Sequence, residues 1–286
     1  MGTCKLTEAE AAALHGQNDS IATAITYPNP NMGSFPILEQ TSFYRNLVAL
    51  AAGIPLVAEP NFKPPIVFFD DFLSYDDTAT GKWVLAGDTG STAAIADGVE
   101  GWLSIDTDGT DNDGTVVASV IEVFSVANAT SLAFEARVKG VEGNTNVNAW
   151  FIGLSDVVTV DLIADAGATL AGSIDAIGFL KISEALTVDF YVANGATQTH
   201  VTTVATIVSG TAVRLGFTVE PYIDKDGVGS ATKARVTPYV NGVAGTALDM
   251  LLASADAMQV ALAMKTGGHA DDALKVDYVM VAQGRA

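Results

Sequence analysis

One cysteine, Cys4, stands among the 286 residues, so no intrachain disulfide framework can brace the fold. Basic residues are scarce: 14 lysines and arginines face 33 acids, for a formal net charge of −19. A chain this acidic repels phosphate backbones, and no basic patch with interleaved aromatics relieves it, which excludes nucleic acid as a ligand. No stretch approaches the roughly 18 uninterrupted apolar residues of a membrane span, so no membrane partner is expected. The opening MGTCKLTEAEAAALHG has no basic region leading into an apolar run and does not read as a signal peptide. The chain is therefore expected to be made and folded in a reducing cytoplasm. Catalytic and metal motifs are also missing. His15, His200 and His269 share no short stretch with one another or with cysteine, which leaves no zinc spacing. There is no G-x-S-x-G elbow and no G-x-x-x-x-G-K-[ST] phosphate loop.

Proline is nearly absent from most of the chain and concentrated at its front. Seven of nine prolines fall in the first 65 residues, whereas 23 of 27 glycines fall after them. That division predicts two regions, an arm over 1–65 and a domain over 66–286. Two short helices are expected in the arm. One follows the capping box Thr7-Glu8-Ala9-Glu10 and ends at Gly16; the other runs from about Ser42 to Ala52, before Gly53 and Pro55. The second carries Phe43, Leu47 and Leu50 on one face with Tyr44 and Val48 beside them. With Ile54 and Phe62, these residues form an apolar surface on a backbone too proline-rich to close a core. They are expected to bind a partner, because apolar area gains roughly 25 cal/mol per Å2 when buried. Charge follows the same division: the arm has five acids against three bases, the remainder 28 against 11.

From Ile66 onward the period becomes two. Leu132, Phe134, Ala136 and Val138 alternate with Ala133, Glu135, Arg137 and Lys139, and Val213 to Glu220 repeats the pattern. Leu186, Val188, Phe190 and Val192 do so again, as do Leu274, Val276, Tyr278 and Met280. Such strands are half buried. Asn194-Gly195 and Asn241-Gly242 are two-residue hairpin signals, and Thr246 to Met258 has room for a helical turn. Many short strands without intervening long helices predict an all-β antiparallel sandwich or barrel.

The order of motifs resembles the concanavalin A-like lectin/glucanase jelly roll in its laminin-G-like form. Val67-Phe68-Phe69-Asp70-Asp71-Phe72 is similar to the opening strand, with Trp83 as the early tryptophan. Val213 to Val219, followed by Thr237-Pro238-Tyr239-Val240-Asn241-Gly242-Val243, resembles a strand pair with a V-N-G hairpin. Leu274 to Val281 resembles the closing strand. The resemblance covers about 66–286 and implies an antiparallel jelly-roll sandwich. Glycanases of that superfamily carry an E-x-D-x-E strand, which sets two carboxylates on one face about 5 Å apart for a retaining mechanism. No strand here has that pattern. Asp70 and Asp71 are adjacent and point to opposite faces, Glu135 stands alone among basic neighbours, and Asp189 and Asp277 read as single outward acids. No catalytic residues and no enzyme activity are expected.

Two features remain as ligand candidates. Asp106-Thr107-Asp108-Gly109-Thr110-Asp111-Asn112-Asp113-Gly114 reads first as a solvated Asp-Gly turn. Its alternating oxygens are also what Ca2+ takes, through Asp106, Asp108, Asp111 and Asp113, although the spacing is not that of an EF-hand. Asp224-Lys225-Asp226-Gly227 is a weaker example. Trp102 precedes the acidic loop and is expected to be exposed for stacking on a ligand; Trp150, in the apolar run Ala149 to Leu154, is expected in the core. The plan of apolar arm, acidic jelly roll and missing chemistry is similar to that of capsid decoration (cement) proteins of tailed phages. That resemblance implies a non-enzymatic virion surface protein that pairs with itself as a dimer or trimer and with a major capsid protein. A carbohydrate-binding module or tail adhesin, and a glycan-degrading enzyme, are the other two expectations.

Overall fold

Alternating apolar side chains give sixteen strands, all paired antiparallel, among the residues described by the computed structural model. It describes residues 65–284 apart from 79, 97–100, 127–130, 142–147, 224–228, 252–256 and 268–271. The two expected arm helices lie outside the described residues, with Phe43, Tyr44, Leu47, Val48, Leu50, Ile54 and Phe62. So do Cys4, His15, His269 and the 224–227 turn. The chain divides into two units, Met1–Pro60 and Asn61–Ala286. Among the described residues no helix is long and apolar enough to cross a membrane.

The first sheet runs in the order β13 (Val243–Ala244), β12 (Gly229–Val240), β11 (Val213–Ile223), β6 (Leu132–Val141), β16 (Ala273–Gln283), β4 (Leu103–Asp106) and β3 (Thr92–Ile95). To these, β1 (Ile66–Asp70) adds along β16, and β14 (Leu248–Leu251) adds along β12. The second sheet runs in the order β10 (Thr197–Thr206), β9 (Thr187–Asn194), β8 (Ala176–Lys181), β7 (Ala149–Ser155), β15 (Gln259–Lys265), β5 (Gly114–Ser119) and β2 (Trp83–Gly87). The described residues therefore form a two-layer all-β sandwich.

Between the layers the expected inward residues meet. Val117, Leu262, Ile152, Phe179 and Phe190 stand side by side across the second sheet, all buried. Phe134 and Phe217 stack at 4.9 Å on the first sheet, and Phe190 reaches Phe217 across the core at 5.9 Å. Asp70 ties the two layers at one edge. Its carboxylate accepts the Trp83 indole N–H at 3.0 Å and the Phe72 amide at 2.9 Å. Trp150 is in the core, as its apolar run predicts.

Three expectations change. A register shift between Val276 and Tyr278 in β16 reverses the face of the strand's remaining residues. Leu274, Val276, Val279 and Val281 are core residues, while Tyr278 and Met280 point away from it. The hairpin after β9 turns on Gly195-Ala196, one residue later than expected, because Asn194 already pairs with Thr197. The Asn241-Gly242 hairpin falls where the sequence puts it, with both residues at positive φ as a tight two-residue turn requires. Finally, Leu248–Leu251 is a strand on β12, so the helical turn is absent there. Lateral pairing of Val236 with Leu248 and Ala234 with Met250 satisfies that backbone instead.

Candidate functional site

Both faces of the second sheet are covered by apolar clusters, one between the layers and one outside them. Its outward side is built of small residues: Ala118, Ala261, Gly153 and Gly178 lie side by side from β5 to β8, followed by Tyr191 on β9. Gly153 and Gly178 face each other because a Cβ on either would collide with backbone, at 2.1 Å from the Ile177 carbonyl oxygen or 2.4 Å from that of Ile152. The Phe151 ring covers the space left over Gly178.

The chain fills this shallow face with its own strap, residues 156–175. Leu162, Ile163, Leu170 and Ile174 are buried in one cluster with Phe151, Leu180 and the sheet's alanines. The strap folds on itself through an Ile163–Leu170 bridge. Polar anchors hold its margins. The Tyr191 hydroxyl donates to the Ala168 carbonyl at 3.0 Å, and the Gln198 amide donates to the carbonyls of Leu170 and Ala171 at 3.1 and 2.8 Å. Asp175 accepts the Gly195 amide at 2.7 Å. At the end of β15, Lys265 has only Gly114 and Ala149 as lateral neighbours, which leaves a passage for its stem. Its side chain is 3 % exposed, and its ammonium pairs with Asp165 at 2.7 Å and Asp161 at 3.3 Å, two carboxylates that stand largely in water.

A polar cavity of about 400 Å3 opens beside this lysine, lined by Asp111, Asn112, Asp165, Ser183, Glu184 and Thr266 among others. It takes one acid from the 106–113 loop, one from the strap and one from the turn after β8. The strap, Lys265 and this cavity are not foreseen from the sequence. The signal available was a lysine ending an apolar strand, which does not separate a buried cation from a solvated one.

The residues singled out for ligand chemistry do not gather. Trp102 is 6 % exposed rather than open: the Lys139 ammonium lies 3.8 Å and the Arg137 guanidinium 5.0 Å from its ring centroid. Cations on the outer face of β6 thus occupy the stacking surface that was expected to be free. The four acids of the 106–113 loop form no cage. Asp106 is half-buried at the end of β4, and burial raises its pKa, opposed by a Ser104 hydrogen bond and by Lys275. Asp108 and Asp113 hydrogen-bond each other: Asp113 is pushed up by desolvation first and Asp108 next, while the Thr110 amide holds Asp108 down. Asp111 faces the cavity. Among the described residues no three His, Cys, Asp or Glu side chains converge as a ready-made metal cluster.

Two acids expected to be single and outward also have different settings. Asp189 is 3 % exposed and accepts the Thr203 amide at 2.7 Å, fixing a bulge in β10 where Thr203 takes φ 54°. Asp277 accepts from Arg137 at 2.6 Å. Glu135, on the outward face of β6, is 1 % exposed, and the Tyr278 hydroxyl donates to its Oε1 at 2.6 Å. Burial drives the Glu135 pKa up, against the Tyr278 hydrogen bond and the Arg214 charge; burial raises that of Tyr278 as well. His200 is exposed and stacks on Tyr191 at 4.8 Å. These groups are dispersed over both sheets and assemble no nucleophile–base pair.

No protein-family profile matches the chain, and no curated protein matches it in sequence. Solved structures match its shape. A protein of unknown function from Shewanella oneidensis MR-1 is similar at TM-score 0.50 and 14 % identity, over 78 % of this chain and 89 % of that one. An endo-1,3-β-glucanase from Streptomyces sioyaensis has TM-score 0.50 and 14 % identity, over 77 % and 96 %. Peanut lectin in complex with a nine-residue peptide has TM-score 0.49 and 12 % identity, over 77 % and 97 %. The sandwich has the concanavalin A-like lectin/glucanase fold.

Proposed function

We propose that the chain is a non-enzymatic structural protein, and specifically a capsid decoration protein that binds the outside of a viral shell through its arm. One observation carries the non-enzymatic part: the 156–175 strap buries the broad outer face of the second sheet under its own apolar residues. A substrate chain would have to displace Leu162, Ile163, Leu170 and Ile174 to reach it, against roughly 1.5–3 kcal/mol of burial for each large side chain. The one acid in the middle of that face, Asp189, already holds Thr203. The arm supplies the other support, since its apolar side chains on a proline-rich backbone call for burial on a partner.

The test is co-sedimentation of the full chain with assembled empty heads of tailed phages. Wild type should sediment with heads, and a variant with Phe43, Leu47 and Leu50 replaced by serine should stay in the supernatant. Equal sedimentation of both, or of neither, rejects the reading. A second reading, a saccharide-binding module, draws on the polar cavity beside Lys265. It requires glycan-array signal that disappears in Glu184→Ala and Asp111→Ala.

A further inference from the structure

We infer that two copies of this chain join through the free edge of β2, antiparallel and across a two-fold axis at Leu85. The inference goes beyond the functional reading above and does not depend on the arm. It begins with hydrogen-bond phase. The Val120 amide donates to the Lys82 carbonyl and the Asp88 amide to the Gly114 carbonyl, so residues 82, 84, 86 and 88 direct their peptide groups toward β5. By alternation Trp83, Leu85 and Gly87 direct theirs to the opposite edge. Among the described residues no strand pairs there. A second β2 centred on Leu85 would place Leu85 against itself and Trp83 against Gly87 of the second copy, satisfying every one of those groups.

Charge selects the same register. The segment Lys82-Trp83-Val84-Leu85-Ala86-Gly87-Asp88 has a cation at one end, a carboxylate at the other and no charge between. With Leu85 on the axis, Lys82 stands opposite Asp88 of the second copy, and the reverse pair forms at the other end. Lys82 and Asp88 lie one residue beyond each end of β2, and the largely exposed Lys82 ammonium, 3.5 Å from Asp70 within its own chain, would be shared with Asp88 of the second copy. Elsewhere the chain is strongly acidic and repels its own copies. This edge is where approach is attractive, and exposed apolar residues accompany it: Val84 on β2, with Val120 and Ile121 just past the adjoining β5. The opposite edge of the same sheet is protected. There β10 is interrupted by a bulge between Val201 and Ala205, where Thr203 is held in a left-handed conformation. Strand β2 has neither bulge nor proline.

Sedimentation velocity on the full chain tests the pairing. Wild type should show a concentration-dependent monomer–dimer equilibrium. Lys82→Glu sets two carboxylates opposite each other at both ends and should weaken dimerisation about tenfold or more. The swap Lys82→Glu with Asp88→Lys should restore it. Lys82 also pairs with Asp70 at 3.5 Å and Asp88 accepts the Gly114 amide at 2.8 Å, so each variant's melting curve is recorded beside its dimer constant. Hydrogen exchange in the wild-type chain gives an independent reading that requires no variant. The amides of Trp83, Leu85 and Gly87 should gain protection as concentration rises. A wild type that stays monomeric overturns the inference. So does a dimer indifferent to Lys82→Glu, a folded swap variant that does not recover, or a dimer in which those three amides exchange unchanged. Loss of head binding in the arm variant with this dimer intact would separate the two proposals.

Discussion

At the scale of single residues, the acids decide more than their place in the alternation suggests. Asp70 satisfies a buried indole N–H and a buried amide at once. Asp70→Ala leaves both donors without an acceptor and should cost about 2–4 kcal/mol in urea unfolding, since an unsatisfied buried polar group costs ~1–3 kcal/mol. Glu135 gives a pH signature. Its folded pKa is raised above the ordinary 4.5 by burial, so the folded state holds the proton more tightly than the unfolded chain. The associated stability is present below the ordinary carboxyl range and is lost as pH rises from there through the raised value. Glu135→Gln keeps an acceptor for Tyr278 and has no proton to lose. The difference in melting temperature between variant and wild type should therefore grow with pH above 4.5 and then level off. A difference independent of pH would show that Glu135 titrates normally. Neither behaviour was legible in the sequence: alternation places Asp70 and Glu135 on faces, but the partners, Trp83 and Tyr278, arrive through distant pairing.

At the scale of elements, the strap and the sheet beneath it are matched by subtraction. Glycine and alanine in the middle of the second sheet make the shallow surface, and the strap's four large apolar residues fill it. Gly153→Ala would drive a methyl into the Ile177 carbonyl and should destabilise the fold by about 2–4 kcal/mol, at or above the usual cost of overpacking. The pins at Lys265 should behave differently. Asp161 and Asp165 are both about three-quarters exposed, so either one changed to Asn should cost under ~1 kcal/mol, the range of screened surface pairs. Both changed together leave a buried ammonium unpaired and should cost about 3 kcal/mol, more than the singles combined. Additivity in chemical denaturation would show that Lys265 is solvated despite its burial. The strap was not readable in advance, because the common feature of its apolar residues is the surface they cover, which distant strands supply.

At the scale of the whole molecule, a strongly acidic surface permits association only where charge is sparse or complementary. The arm's near neutrality and the Lys82–Asp88 segment of β2 are two such places, and they make separable predictions. A chain beginning at Asn61 should keep a β-type circular dichroism spectrum and a cooperative melt, because the inter-sheet core is built from residues after Ile66. It should also keep the β2 dimer. A collapse of the melt on removing residues 1–60 would show that the front segment completes the core.

The sequence by itself determined the layers. Period-two alternation states which side chains of β6, β9 and β11 must leave water, and burying those faces requires a second sheet. The V-N-G turn is equally local, since positive φ at two successive residues favours Asn-Gly wherever it occurs. Tertiary structure alone decided the bulge that turns Tyr278 outward, the cations laid on Trp102, the division of the 106–113 acids and the strap over the second sheet. Each depends on a neighbour that arrives from far along the chain. Solvent exposure and ligand geometry belong to such neighbours, whereas periodicity belongs to the strand itself.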